Sequence, residues 1–132
     1  PDAILEAAGL GRAHHRVVHF VGRNPGITVA ELLGILRITK QSLARVLREL
    51  IEQELIEQKT GKRDRRQRHL HLTEAGTSLE RRLAVPQHAR VAKAIADAGP
   101  EAAEAWKKIL LNLVNEDERA AVETLITNGE VP

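Results

Sequence analysis

The sequence predicts a mainly α fold with a small β wing, and three observations carry that prediction. Apolar residues recur at helical spacing along most of the 132 residues. One segment alone, residues 55–72, has the short alternating runs and polar middle of a hairpin. Phe20 and Trp106 are the only aromatic residues, so the core must be built from Leu, Ile, Val and Ala, a palette that suits helices.

The length suits one domain with a real core, and 42% apolar residues place the chain among globular proteins. There is no cysteine, which excludes disulfides, Cys-ligated zinc and thiol redox sensing. No apolar run reaches membrane-spanning length and no signal peptide is visible, so no membrane partner is expected and the expected location is cytoplasmic, nucleoid-associated. A first residue other than Met, and no Met anywhere, read as a chain whose native start lies upstream.

The elements follow in order. Residues 10–21 place Leu10, Ala13, Val17, Phe20 and Val21 on one helical face, and Asn24, Pro25 and Gly26 end that helix. Thr28 and Glu31 have the spacing of a capping box, which starts a short helix through Leu32, Leu33 and Leu36. Thr39 is the N-cap expected for the next helix. There Leu43, Val46, Leu47, Leu50 and Ile51 fall on one side, while Gln41, Arg45, Arg48 and Glu52 fall on the other. A short helix, a tight turn and a second amphipathic helix with Gln and Arg outward form a helix-turn-helix pattern. The plainer reading is a surface helix whose Arg45–Glu49 and Arg48–Glu52 spacings make salt bridges.

The hairpin comes next, with strands expected over residues 55–59 and 68–72. Its tip is strongly basic. Residues 59–68 hold six cations against Asp64, a charge of +5 in a chain whose net charge is +2, which leaves −3 elsewhere. Such asymmetry points to a polyanion more firmly than the pI does, although a hairpin tip can also be charged for solubility alone. Together the two patterns make a winged helix-turn-helix. One helix would enter the major groove of double-stranded DNA while Lys62, Arg63, Arg65 and Arg66 reach backbone or minor groove.

Thr73 can cap the following helix. Leu79, Leu83, Val91 and Ile95 continue it, with Pro86 expected to bend or restart the run. Gly99 and Pro100 form a break. Ala102, Ala105, Trp106, Ile109, Leu110 and Leu113 share one face of a further helix, and Asn115 is the expected cap of a last one that stops at Asn128 and Gly129. These helices carry more apolar surface than a small winged domain needs, so packing against a second copy is expected, with an intramolecular core as the alternative. The expected organisation is a single domain over residues 1–132. Residues 10–85 form its winged helix-turn-helix region, and residues 1–9 and 86–132 its terminal dimerisation helices.

The wing motif and the segment ITKQSLARVLREL resemble the MarR family of bacterial winged-helix regulators. The resemblance rests on Asp64, Arg66, Leu72, Thr73 and Gly76, and residues 10–85 carry it strongly. It implies a homodimer that binds pseudo-palindromic operators, usually as a repressor, and that a small molecule can release. It implies that Lys40, Gln41, Ser42 and Arg45 meet bases and phosphates. Arg65 and Arg66 would be the wing contacts, one in the minor groove and the other braced by Asp64. Thr28 and Thr39 match helix starts that donate to phosphate. The amide of Gln41 offers a donor and an acceptor together, which suits a base edge, and Arg48 suits a phosphate.

His15 and His19 have the i,i+4 spacing that can chelate a metal, but two histidines are half a site, so no metal or cofactor is expected and a metal-responsive regulator stands as an alternative. Arg12, His15, Arg16 and His19 would lie where the family binds aromatic carboxylates, which makes a small anionic or aromatic effector a candidate partner. They could equally face water or bridge a dimer. No Gly-rich phosphate loop, His-Glu metal motif or serine elbow is present, so an enzyme is not expected. A winged domain that binds DNA without sequence preference is the remaining alternative.

Overall fold

The computed structural model describes residues 2–129. It contains helices α1 (Asp2–Ala7) and α2 (Arg12–Arg23), strand β1 (Ile27–Thr28), helices α3 (Val29–Leu36) and α4 (Lys40–Glu52), and strands β2 (Ile56–Thr60) and β3 (Arg68–Leu72). Helices α5 (Glu74–Ala98) and α6 (Pro100–Leu113), a 3-10 turn (Glu116–Glu118) and α7 (Arg119–Gly129) follow. The chain divides into two compact units, residues 1–84 and 85–132.

In the first unit, Val17, Val18 and Val21 of α2, Leu32 and Leu36 of α3, and Leu43, Val46, Leu47 and Leu50 of α4 form the core with Ile56, Leu70, Leu79 and Leu83. The α4 stripe is the one read from the sequence. In α2 the expected Ala13 is exposed, Leu10 lies ahead of the helix, and Val18 is buried beside Val17 and Val21. Burial of one stripe per helix still drives the packing. Leu5 of α1 and Leu10 also enter this core. Of residues 1–9, expected to serve a dimer, Leu5 is thus held in the winged unit while Asp2, Ala3 and residues 6–9 are exposed, and Pro1 lies outside the described residues.

The sheet has three antiparallel strands in the order β1-β3-β2. The hairpin pairs Ile56 with Leu72 and Thr60 with Arg68, while β1 pairs Ile27 with Leu70 and Thr28 with His69. Strand β1 was not visible in the sequence, because two residues show no alternation. Thr73 caps α5: its Oγ1 accepts from the Gly76 N–H at 3.0 Å and donates to the Glu54 carbonyl at 2.6 Å. Pro86 does not restart the helix, since α5 is assigned as one helix from Glu74 to Ala98 with Pro86 inside it. Arg82 and Pro86 are both exposed, a setting in which water can replace the hydrogen bond that the proline cannot supply.

In the second unit, α6 starts with Pro100 at its first turn and buries none of its residues. Trp106, Ile109, Leu110 and Leu113 are exposed on it, as are Val91 and Ile95 of α5 and Ile126 of α7. Asn115 precedes the 3-10 turn without a side-chain capping bond. Among the described residues no helix is long and apolar enough to cross a membrane.

Candidate nucleic-acid interface

The two candidate reading elements are each set by a threonine cap. At the start of α3, Thr28 Oγ1 accepts from the Glu31 N–H at 3.1 Å and donates to the Glu31 carboxylate at 2.8 Å. That box is closed on itself and Thr28 is buried, so its hydroxyl proton is already in use. Helix α3 ends with Arg37 in the left-handed region at φ 53°, and a three-residue turn leads to Thr39. The Thr39 hydroxyl accepts from the Ser42 N–H at 3.1 Å and donates to the Ser42 hydroxyl at 2.9 Å, which starts α4.

Helix α4 buries Leu43, Val46, Leu47 and Leu50 and leaves Lys40, Gln41, Arg45 and Arg48 exposed, with Ser42 half-buried. Neither of the salt bridges that the spacing allowed is formed. Glu49 instead accepts from His14 of α2 at 2.6 Å. Among the described residues Lys40, Arg45 and Arg48 have no carboxylate partner, so the outward face of α4 carries three unpaired cations and the Gln41 amide, with the Glu52 carboxylate at its last turn.

The wing tip turns on Gly61, whose N–H donates to the Gln67 carbonyl at 2.9 Å. A Cβ there would stand 2.5 Å from the Asp64 carbonyl oxygen, so only glycine fits this turn. Asp64 Oδ1 accepts from the Arg66 backbone N–H at 2.9 Å and from Arg66 Nε at 3.3 Å. Arg66 is therefore the braced member of the Arg65–Arg66 pair, while Arg65, Lys62 and Arg63 extend into solvent.

Between α3, α4 and the wing lies an open groove of about 770 Å³. Leu33, Leu43, Leu47 and Ile51 line it together with Lys40, Arg48, Arg66 and Arg68, and Glu52 is the one acid among the described residues that line it. Arg68, which also reaches Gln58 at 3.4 Å, was not singled out from the sequence. Strand alternation, which puts Arg68 on the side of Leu70, was the signal that could have found it.

The four α2 residues read as a candidate effector site diverge. Arg12 pairs with Asp2 of α1 at 3.5 Å, Arg16 donates to the Leu36 carbonyl at the end of α3 at 3.4 Å, and His19 meets Glu80 of α5 at 3.6 Å. His15 lies close enough to His19 to act on its charge. Among the described residues no three His, Cys, Asp or Glu side chains converge to hold a metal, so the His15–His19 pair has no third ligand.

The pKa of His19 lies below its ordinary value of 6.5, chiefly because burial disfavours the imidazolium and further because Arg23 is near, with Glu80 pulling the other way. The unfolded chain therefore binds this proton first as the solution is acidified. Its contribution to stability is complete above about pH 6.5 and is lost as pH falls from there through the lowered folded value. His19→Gln should flatten the dependence of unfolding free energy on pH between about 7 and 5. Urea titrations across that range would show it, and an unchanged slope would contradict the assignment.

The arrangement of two capped helices and a braced basic wing has counterparts of known kind. A profile described as MarR family matches residues 8–67. The HTH-type transcriptional regulator PetP of Rhodobacter capsulatus is 51% identical over 110 residues, 83% of this chain and 66% of PetP. The chain belongs to the MarR family. Among solved structures, that of Streptococcus pneumoniae FabT in complex with DNA is 27% identical with a TM-score of 0.70, over 79% of this chain and 73% of FabT. The crystal structure of MarR itself, 24% identical with a TM-score of 0.70 over 90% of this chain and 81% of that one, shares the fold. This MarR-family chain thus spans just under two thirds of the length of PetP.

Proposed function

We propose that this MarR-family chain is a transcriptional regulator that reads double-stranded DNA as a homodimer on a pseudo-palindromic operator. One observation carries the reading: Lys40 and Arg48 of α4 and the braced Arg66 of the wing border the same groove, so one duplex can meet both elements. The 27% identity to FabT, a protein solved in complex with DNA, supports it. Gln41, exposed in the first turn of α4, is the base reader in this assignment, with Lys40, Arg45 and Arg48 on phosphates and Arg65 in the minor groove. Thr28 and Thr39 contribute helix starts, whose backbone N–H groups favour an anion. Occupancy of an operator by such a protein excludes polymerase, so repression is its simplest output.

The homodimer is supported by the second unit, where Trp106, Ile109, Leu110 and Leu113 of α6 stay exposed and no α6 residue is buried among the described residues. A symmetric dimer also gives the two half-sites that α4 of each protomer would read.

The test is to incubate the protein with sheared bacterial genomic DNA at physiological salt and sequence what is retained. The expected result is one motif with two-fold symmetry and half-sites about one helical turn apart. Uniform recovery that vanishes as salt rises would replace this reading with phosphate-only, architectural binding. On the recovered operator, Gln41→Ala is expected to relax discrimination at one base position by roughly 1–3 kcal/mol. Unchanged preference at every position would remove Gln41 from the reading set.

A further inference from the structure

Helix α2 reaches α1, α3, α4 and α5 each through a polar side chain, and one of these bonds ends on α4 itself. The Gly11 N–H donates to His14 Nδ1 at 3.0 Å, so the ring proton sits on Nε2, which donates to Glu49 Oε2 at 2.6 Å. The His14 side chain is 13% exposed and that of Glu49 38%. Glu49 lies one helical turn after Arg45, the spacing at which two such side chains pair on a helix surface. Yet Arg45 has no carboxylate partner among the described residues, because the Glu49 carboxylate is turned to α2.

We infer that His14 is a positioning residue for DNA binding: by holding the Glu49 carboxylate on α2, it keeps the Arg45 guanidinium unpaired and available to a phosphate. The physical ground is competition. A half-buried bond from a ring fixed at both nitrogens outweighs an exposed Arg–Glu pair, which has two long side chains to immobilise and is screened by salt. Without the imidazole, Glu49 falls to Arg45, and DNA must then break that pair before it gains the contact. The inference rests on the reading of α4 as the DNA-contacting helix.

The experiment compares binding of the recovered operator duplex by the wild-type protein, Arg45→Ala, His14→Ala, Glu49→Gln and the His14→Ala/Glu49→Gln double variant. Titrations are run well below each melting temperature, so that all variants are folded. His14→Ala is expected to weaken operator binding about two- to fivefold, the size of an exposed ion pair that must open first. In the Glu49→Gln background, which has no carboxylate to release, the same change is expected to have no effect. Should the space left by alanine melt the fold, His14→Phe fills it without a donor and takes its place. An equal loss in both backgrounds would mean that His14 acts only by packing, and no loss in either would mean that Glu49 does not reach Arg45; each result overturns the inference. If Arg45→Ala itself leaves binding unchanged, the reading of α4 fails, and this inference fails with it.

Discussion

Replacing Gly76 with alanine is expected to destabilise the protein by about 3 kcal/mol or more, at the upper end for a single added methyl. A Cβ at this position would collide with the Leu55 carbonyl oxygen and stand 3.0 Å from its carbon. Neither atom can yield cheaply. The same oxygen accepts from the Thr73 N–H at 3.0 Å, and the preceding Glu54 is already in the left-handed region at φ 59°. The first turn of α5 would have to lift away from the strand that leads into the wing. Gly34 in α3 is the control, since a Cβ there meets nothing within 4 Å. Gly34→Ala should therefore stabilise by about 0.5–1 kcal/mol, through the lower cost of ordering alanine in a helix. Chemical denaturation of both variants reads the contrast. A Gly76→Ala protein within about 0.5 kcal/mol of wild type would mean that the close approach is not real.

Placing glutamates at Ile109 and Leu113 is expected to leave the protein monomeric, where the proposed dimer would otherwise form, and to weaken binding to the proposed operator by on the order of 100-fold or more, the gain that linking two half-site contacts ordinarily supplies. These side chains are 55% and 77% exposed in the single chain, so the substitutions cost the protomer little by themselves. Against a second copy they would place charges in an apolar contact without partners, at a cost of several kcal/mol each. Sedimentation equilibrium gives the association state, and the operator titration gives the functional loss. A variant that stays dimeric would move the interface elsewhere.

Much of the winged unit is legible in its sequence because its signals are local. Thr28 and Thr39 announce α3 and α4 through a hydroxyl three residues from the amide it serves, and the apolar stripe of α4 repeats within one helix. The hairpin announces itself by alternation, and its strands fall within one residue of the expected limits at the β2 end and coincide at β3. What escaped depends on residues far apart. The partner of Glu49 is 35 positions away, and nothing in the i,i+4 spacing to Arg45 reveals that His14 competes for it. Likewise the resemblance groups Arg12, His15, Arg16 and His19 of α2 into one candidate pocket, whereas within this chain packing sends three of them to three different helices. Of the two outcomes expected at Pro86, a bend or a restart, the restart does not occur, because an exposed position tolerates the missing hydrogen bond.

The placing of β3 between β1 and β2 has a consequence for the energetics of recognition. The wing is not an arm tethered at its base alone. Its inner strand is clipped to the segment that opens α3, by the Ile27–Leu70 and Thr28–His69 pairs, by the Gly26 N–H on the Leu70 carbonyl at 2.8 Å, and by His69 Nδ1 on the Gly26 carbonyl at 2.8 Å. Configurational freedom at the wing base is therefore surrendered during folding and not at the moment of encounter. A ligand meeting such a surface finds its basic contacts already in register, and more of the interaction energy remains as affinity.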